Sequence, residues 1–243
     1  MIMRKIKLSA ISDLHGNLPN PDIFEGGDVL CITGDIVPSE WQSNAIKSVS
    51  WFCHKFIPWT DKLPYKKVLV IFGNHDFFGE QIGPLNNNDA ATVMQLLMPG
   101  IIRSEHKIEI LMDSEYKYMG FSFYGTSWCP ELKDWAFYGD HDKLVTEYGK
   151  IPDNTDILLT HCPPRIARVG MVCQPGWNYM SDFGCQELAD AIDKKNIKWV
   201  FCGHVHSGSH YPTLFNNTNI VNVSLLDENY KVSYPVFNVE ITK

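Results

Sequence analysis

The chain repeats one pattern five times: a short, continuous apolar run that ends at polar residues. The runs read LSAIS, VLCIT, VLVIF, DILLT and WVFC along the sequence. Their length and composition are typical of buried β-strands. We predict that the polar side chains that follow them emerge together at one rim of a sheet, where α/β proteins bind ligands.

Helical signals alternate with these strands. Residues 39–57 carry the clearest helix, because Ser39 and Gln42 form a capping-box pattern and apolar side chains then recur at helical spacing. Residues 90–98 predict a second, short helix, and residues 184–195 predict a third. The alternation of strands and helices is typical of an α/β fold.

A different pattern occupies residues 101–126, where shorter strand-like pieces read IIRSE, HKIEILMD and YKYMGFSFYG, with a turn at residues 113–115. These pieces predict a second, mixed sheet. Residues 219–226 and 231–241 read as closing strands. The chain shows no internal repeat and no Gly/Ser linker, so we expect one domain over residues 1–243.

Composition narrows the function classes. The net charge is −7 for 243 residues, which gives no cationic field to attract long nucleic acid. Seven cysteines without a C-x-x-C pair favour reduced thiols and hence the cytoplasm. The first twelve residues lack a signal-peptide pattern, and no apolar run approaches the roughly 20 residues that span a bilayer. We expect a soluble protein without a membrane partner.

Metal-binding side chains follow the strands at informative spacings. In Asp13-x-His15 both side chains lie on one side of an extended backbone, so one metal ion can take a carboxylate and an imidazole together. His204-x-His206 repeats this spacing with two imidazoles. Asp35 follows a glycine that permits a tight turn, and its two oxygens can bridge cations about 3.5–4 Å apart.

Two further residues complete the ligand set. Asn74 supplies a neutral oxygen, which keeps the site from becoming too anionic for a phosphate ester, and His161 adds a nitrogen. Imidazole, carboxylate and amide ligands without a thiolate favour manganese, iron, zinc or nickel. Each motif alone also occurs in ordinary turns, but the ordered set of five predicts a two-metal hydrolase site.

The motifs DLH, GD, GNHD, TH and GHVH, in this order, resemble the calcineurin-like metallophosphoesterase superfamily over residues 13–206. The resemblance implies a four-layer αββα sandwich of two mixed β-sheets flanked by helices. It assigns the first metal ion to Asp13, His15, Asp35 and His206, and the second to Asp35, Asn74, His161 and His204. It leaves His75 facing the substrate.

The same resemblance implies a mechanism. A hydroxide bridging two divalent ions attacks phosphorus in line, with Asp35 and Asn74 at the metals. His75, when protonated, gives the leaving oxygen its proton. Asp76 either orients His75 or caps the following loop, and the sequence leaves both readings open.

Other segments are similar to one branch of the superfamily, the brain-type metallophosphoesterase-domain-containing proteins and class III cyclic nucleotide phosphodiesterases. They read FYGTSWCP, DWAF, PDNTDILLTHCPP, GCQEL and FCGHVH. The Ser/Thr protein phosphatases continue GD as GD-x-V-D-R-G, whereas this chain reads GDIVPSE, with Pro38 and Ser39 in place of the Asp and the phosphate-gripping Arg. The difference disfavours a protein phosphatase.

The resemblance to this branch implies a phosphodiesterase that acts on cyclic nucleotides or similar small phosphodiesters. The alternatives are a phosphomonoesterase, a nucleotide pyrophosphohydrolase, and a non-catalytic scaffold or nucleotide-binding module. The expected partner is a small phosphoester, a nucleotide being one candidate. The substrate would be selected by the long stretches 127–154 and 162–182 rather than by the motifs.

Several residues near the motifs have an ordinary alternative role. Arg165 and Arg168 could contact phosphate, but solvated loop charges are the default. Cys162 and Cys202 adjoin ligands, but buried cysteines mostly serve as small apolar residues. The aromatic residues of the two long stretches could stack on a base, but core packing is the more frequent use. They are Trp128, Trp135, Phe137, Tyr138, Trp177 and Tyr179.

Overall fold

The computed structural model describes residues 3–82, 107–130, 132–166, 168–172 and 180–243. Its first sheet has five strands in the order β13-β1-β2-β3-β4. All neighbours are parallel except β13, which runs antiparallel to β1. The strands are β1 Lys5–Ile11, β2 Gly27–Thr33, β3 Tyr65–Ile71, β4 Ile108–Ile110 and β13 Phe237–Thr242.

The second sheet has six strands in the order β11-β12-β10-β7-β6-β5, and its two edge strands run antiparallel to their neighbours. The strands are β5 Ser114–Tyr118, β6 Phe121–Thr126, β7 Ile157–Thr160, β10 Trp199–Cys202, β11 Thr213–Phe215 and β12 Thr218–Asn222. A short ribbon pairs β8 Met171–Val172 with β9 Ser181–Asp182. Both large sheets are therefore mixed.

Helices cover the outer faces of both sheets. Three consecutive pieces cover the first sheet: the helix Ala45–Trp51, a π-helical turn Phe52–Phe56 and the helix Ile57–Lys62. The helices His141–Gly149 and Gln186–Asp193 cover the second sheet. A short helix Phe77–Ile82 and a 3₁₀ turn Pro21–Ile23 complete the described helices.

The central positions of the inner strands are mostly apolar, because both faces of each sheet are buried there. In β2, Val29 and Cys31 point into the layer between the sheets, whereas Leu30 and Ile32 contact the helices of the first sheet. In the second sheet, alternate side chains divide in the same way between the central layer and the outer helices. The four-layer αββα sandwich predicted from the sequence is confirmed.

The predicted helix over residues 39–57 starts too early. The observed helix begins at Ala45, because the side chain of Asn44 accepts a hydrogen bond from the backbone N of Lys47 at 3.0 Å. Ser39 and Gln42 therefore do not form a capping box. The helix predicted at residues 184–195 is present in the shorter form Gln186–Asp193.

The strand pieces of residues 101–126 are distributed differently from the prediction. Strand β4 joins the first sheet, where it pairs parallel with β3. The piece YKYMGFSFYG is a hairpin, because Met119 and Gly120 have φ values of 51° and 83° and form a two-residue turn between β5 and β6. The predicted turn at residues 113–115 is thus the crossing from one sheet to the other.

Other sequence predictions differ or fall outside the described residues. The stretch 127–154 is not all loop, since it contains the helix His141–Gly149. The predicted helix 90–98, the piece IIRSE, Trp177 and Tyr179 lie outside the described residues. Within the described part of the chain, no helix is both long and apolar enough to cross a bilayer.

Candidate metal centre

The seven predicted ligands lie at the carboxyl ends of parallel strands in both sheets. Strands β1, β2 and β3 of the first sheet are followed by Asp13 and His15, by Asp35 and by Asn74. Strands β7 and β10 of the second sheet end just before the remaining ligands, which are His161, His204 and His206. The site therefore spans the boundary between the two sheets, and the structure brings all seven side chains together.

On one side of the site, Asp13, His15 and His206 form a group whose possible ligand atoms lie within 4.8 Å of one another. Nε2 of His206 is 3.6 Å from Oδ1 of Asp13. All three residues are buried. This group matches the set that the resemblance assigned to the first metal ion, apart from the bridging Asp35.

Asp35 lies at the centre of the cluster. Its Oδ2 is 3.4 Å from Nε2 of His161, 3.5 Å from Nε2 of His15 and 3.8 Å from Nε2 of His75. Its Oδ1 accepts a hydrogen bond of 2.8 Å from the backbone N of His75. One carboxylate oxygen thus faces imidazoles from both sheets, which is the position that a bridging ligand needs.

Asn74, His161 and His204 form the other side of the site. Oδ1 of Asn74 lies 2.9 Å from Nε2 of His161 and 2.9 Å from Nδ1 of His204. No sulfur ligand is expected from the sequence motifs, but Cys129 Sγ also lies within 4.8 Å of His161 and His204 nitrogens. Cys129 follows β6, whose carboxyl end adjoins that of β7.

The backbone at the site is strained. Asp13, His15, Asp35 and His204 have φ values of 57°, 43°, 52° and 71°, in the left-handed region that side-chain-bearing residues rarely adopt. Such outliers concentrate at functional sites, where surrounding contacts hold them in place. Gly203 is required there as well, because a Cβ at this position would lie 2.4 Å from Oδ2 of Asp13.

Acceptors outside the cluster fix the direction of two imidazoles. Nδ1 of His161 donates to the carbonyl of Thr33 at 2.8 Å, and Nδ1 of His206 donates to the carbonyl of Asp227 at 3.0 Å. Each ring therefore turns its Nε2 towards the carboxylates, which lie 3.4 Å from that atom in His161 and 3.6 Å from it in His206. Backbone carbonyls serve this purpose for metal-binding histidines in general.

The donor set fits divalent ions. Nitrogens and carboxylate oxygens lie 3.4 to 3.8 Å apart, longer than ordinary hydrogen bonds. Ligands that share one cation at about 2.0–2.2 Å are separated by slightly less than this, so small inward movements would complete a coordination sphere. We therefore take the cluster as a candidate metal centre.

Without metal ions, the carboxylates of the cluster favour protonation of neighbouring histidines. Burial disfavours the charged form of His161, but Asp35, Asp13 and the carbonyl of Thr33 together outweigh burial and raise its pKa to about 10. Burial likewise opposes protonation of His206, but the nearby Asp13 carboxylate, with the Asp227 carbonyl and Asp35, raises its pKa to about 9. Burial lowers the pKa of His204 to about 4. Two of these imidazoles are thus cationic at neutral pH.

Metal loading should release protons. His161 and His206 carry a proton up to pH 9 or above in the metal-free protein, and a metal ion can bind only the neutral ring. We expect loading with Zn²⁺ at pH 7.5 to release about two protons per chain, and metal affinity to rise with pH up to about 10, where His161 loses its proton without metal. Calorimetric titration in buffers of different ionisation enthalpy measures the release. Loading without proton release would contradict these protonation states.

Some functional contacts have no signature in the sequence motifs. Ser224, which follows β12, donates a 2.7 Å hydrogen bond from Oγ to Oδ2 of Asp13. Ser39 Oγ lies 3.2 Å from Nδ1 of His15, and Oε1 of Gln42 contacts Nδ1 of His75. Their partners are distant in sequence, and only the fold reveals them.

The Ser224 contact can be tested by removal. Because Ser224 holds a metal-binding carboxylate in place, we expect Ser224→Ala to weaken metal affinity about 10- to 100-fold, the usual cost of losing such a support. Competition with a chromophoric chelator gives the affinity. Thr146→Ala, which removes an exposed hydroxyl bonded to the carbonyl of Asp142 on a helix of the second sheet, is the control. Equal affinities in Ser224→Ala and wild type would remove Ser224 from the site.

Asp76 takes neither of the two roles considered from the sequence. Its carboxylate accepts hydrogen bonds from the backbone N of Ile36, Val37 and Gly73, at 2.9 to 3.2 Å. These contacts join the loops that carry Asp35 and Asn74. Burial raises the pKa of Asp76 to about 7, with the Asp35 charge as a second cause.

The other residues singled out in the sequence lie at or beyond the edge of the cluster. The side chains of Arg165 and Arg168 are exposed, and Nε of Arg165 is 4.0 Å from Oδ2 of Asp182. Cys162 and Cys202 are buried in the outer apolar layer of the second sheet, as expected. Among the described aromatic residues of the two long stretches, Trp135 contacts the cluster, with its ring centroid 4.3 Å from that of His75.

Comparisons with known proteins agree with this geometry. A family model described as calcineurin-like phosphoesterase matches residues 6–208. Metallophosphoesterase domain-containing protein 1 of Homo sapiens is 28% identical over 256 residues, which cover 95% of this chain and 69% of that protein. A UPF0046 protein of Caenorhabditis elegans is 27% identical over 236 residues, covering 95% of this chain and 79% of that protein.

Solved structures share the fold. One superposes with a TM-score of 0.63 at 17% identity, covering 91% of this chain and 90% of the other. The crystal structure of Phosphopantetheinyl Hydrolase (PptH) from Mycobacterium tuberculosis superposes with a TM-score of 0.54 at 14% identity, covering 96% and 95%. The family match supports a metal-dependent phosphoester hydrolase. The chain belongs to the calcineurin-like phosphoesterase family, in the branch of the metallophosphoesterase domain-containing proteins.

Proposed function

We propose that the protein is a dinuclear phosphodiesterase that hydrolyses small phosphodiesters, with cyclic nucleotides as the leading candidates. The observation that carries this proposal is the charge of the site. Among the described residues, the ion partners of Asp13 and Asp35 are all histidines. A phosphodiester brings one negative charge, whereas a monoester brings nearly two at neutral pH and calls for an arginine clamp.

The segment after Asp35 supports the same choice. Pro38 packs so closely against Gly16 that a Cβ on Gly16 would lie 2.7 Å from Cγ of Pro38. Ser39 is then directed towards His15. Pro38 and Ser39 therefore support the predicted metal ligands. An arginine in this segment would instead bind a phosphate dianion.

Aromatic rings flank the cluster on two sides. Trp135 lies against His75, and the centroid of the Tyr230 ring lies 4.7 Å from that of His15. His15 and His75 themselves are in edge contact at 4.7 Å. An acyclic phosphodiester has two organic groups and a cyclic nucleotide has one, its nucleoside, and the flanking rings offer surfaces for either. Rings of this kind stack on nucleobases.

The chain's own residues then have distinct roles. Asp35 and Asn74 are ligands from the first sheet, and His161, His204 and His206 are ligands from the second sheet. Bound divalent ions would activate water and neutralise the phosphoryl oxygens. His75, whose side chain is 16% exposed, lies at the mouth of the site and delivers a proton to the leaving oxygen. We propose manganese, iron, zinc or nickel as the metals.

The proposal also covers the partners and the cellular compartment of the enzyme. The substrate is a small molecule, and neither long nucleic acid nor a membrane is a partner. Free, buried thiols at Cys31, Cys129, Cys162, Cys185 and Cys202 support a reducing compartment such as the cytoplasm.

The test measures initial rates after the purified protein is stripped of metal and reloaded with Mn²⁺. Bis-p-nitrophenyl phosphate is compared with p-nitrophenyl phosphate, with a chelator control. We expect chelator-sensitive turnover that favours the diester, and cyclic nucleotides would be screened next. Preference for the monoester would indicate a phosphatase. Absence of turnover with both ions bound would indicate a non-catalytic binding module.

A further inference from the structure

Gln42 lies beside His75 although 33 residues separate them in sequence. It belongs to the turns before the helix Ala45–Trp51, where the backbone N of Trp41 donates to the carbonyl of Pro38 at 2.9 Å. The carbonyl of Trp41 in turn accepts a 2.8 Å hydrogen bond from Oγ of Ser48. The turn is therefore fixed to the helix, and the Gln42 side chain starts from a well-anchored backbone.

The side-chain oxygen of Gln42 contacts Nδ1 of His75. An amide oxygen can only accept a hydrogen bond, so Nδ1 of His75 carries the proton. Nε2 then faces the metal ligands, 3.8 Å from Oδ2 of Asp35. The contact thus determines which nitrogen of His75 is available to the reacting groups.

Two rings restrain His75 further. Trp135 lies against it with an angle of 51° between the ring planes, and His15 contacts it edge-on at 89°. Asp76, the adjacent carboxylate, is not available as a partner for Nδ1, because its oxygens bind backbone N–H groups of three residues. Gln42 is thus the described residue that contacts Nδ1 of His75.

We propose that Gln42 is the positioning residue of His75, and that its amide oxygen holds the imidazole with Nε2 directed at the leaving group. This inference rests on the proposed phosphodiesterase function. For the reaction the ring takes a second proton from water, on Nε2. When the bond from phosphorus to the leaving oxygen breaks, that oxygen takes the proton from Nε2, and the ring returns to its neutral form with the Nδ1 proton still bonded to Gln42. Gln42 is a neutral amide, so it positions His75 without placing a further negative charge near the predicted metal ions.

The experiment compares Gln42→Met, which keeps the side-chain length but removes the acceptor, with Gln42→Glu, which keeps an acceptor. Substrates are aryl methyl phosphates with p-nitrophenyl or phenyl as the leaving group. A p-nitrophenolate leaves without a proton, whereas the phenolate is more basic and needs one. We expect Gln42→Met to lower kcat for the phenyl ester about 100-fold and for the p-nitrophenyl ester less than about 10-fold, with KM unchanged.

Gln42→Glu should restore kcat for the phenyl ester to within about 10-fold of wild type. The matched control is Gln186→Met, which removes an exposed glutamine bonded to Asp190 on a helix of the second sheet. Metal content is measured for every variant. Equal losses for both esters, or a loss confined to KM, would overturn the proposal and assign Gln42 to substrate binding or to folding.

A spectroscopic measurement tests the contact without turnover. In zinc-loaded protein labelled with ¹⁵N, long-range ¹H–¹⁵N spectra report which nitrogen of each histidine is protonated, and His75→Ala assigns the signal. We expect a protonated Nδ1 of His75 in wild type and its loss in Gln42→Met. An unprotonated Nδ1 in wild type would overturn the proposal. If wild type hydrolyses neither ester, the proposed function fails, while this spectrum still decides the role of Gln42.

Discussion

Asp35→Asn is expected to lower metal content from two ions per chain to at most one and turnover by at least about 1,000-fold. Asparagine can still accept the hydrogen bond that Asp35 takes from the backbone N of His75, so the loop should keep its shape. What is lost is the charge that faces three imidazoles from both sheets. The expected loss exceeds the 10²- to 10³-fold range typical for one hydrogen-bond donor, because a bridging ligand serves both metals.

Metal content is measured by elemental analysis after gel filtration, and turnover with bis-p-nitrophenyl phosphate. Asp190→Asn changes an exposed carboxylate on a helix of the second sheet and serves as the control. Retention of both ions by Asp35→Asn would remove the bridging role from Asp35.

His75→Ala is expected to have the second largest effect and a different signature. We expect both metal ions to remain and kcat for a cyclic nucleotide, whose leaving group is an alkoxide, to fall at least about 100-fold. The backbone N of His75, which binds Asp35, is unchanged by the substitution, so the loop should persist. With a p-nitrophenyl leaving group the loss should be smaller, because that group leaves without a proton.

His54→Ala is the matched control, because His54 is an exposed histidine whose Nδ1 bonds the carbonyl of Ser50 on the same helical segment. Rates are measured on both substrates, and metal content is determined alongside. Loss of metal from His75→Ala would make His75 a ligand, in line with its closeness to His15 and Asp35. Unchanged turnover would exclude it from the mechanism.

The sequence was most informative where function and fold use the same local pattern. Asp13 and Asp35 could be identified because each follows an apolar strand directly, and parallel strands bring their carboxyl ends to one rim. The same holds for Asn74 after β3. The position of these residues is determined by the strand that precedes them, so a local pattern suffices. The single rim predicted from the sequence is wrong for His161, which follows β7 of the second sheet, so that the site is shared by the strand ends of two sheets.

Contacts between distant segments could not be predicted in this way. Ser39 and Gln42 fit a capping box, and nothing local shows that their partners are His15 and His75. The prediction that strand β4 belongs to the second sheet is wrong, because a tripeptide as short as Ile-Glu-Ile carries no local signal for either sheet and the full topology decides. Local patterns specify element type, whereas partners depend on the assembled fold.

The division of ligands between the two sheets has a consequence for residues far from the metals. The apolar layer that contains Phe123 and Phe201 fixes the separation of the sheets, and with it the distance from Asp35 to His161. A displacement of about 1 Å in an active site can cost 100-fold in rate. Core side chains that never contact the substrate therefore set the distances between the predicted metal ligands. The spacing between the two sheets is thus itself a determinant of the reaction rate.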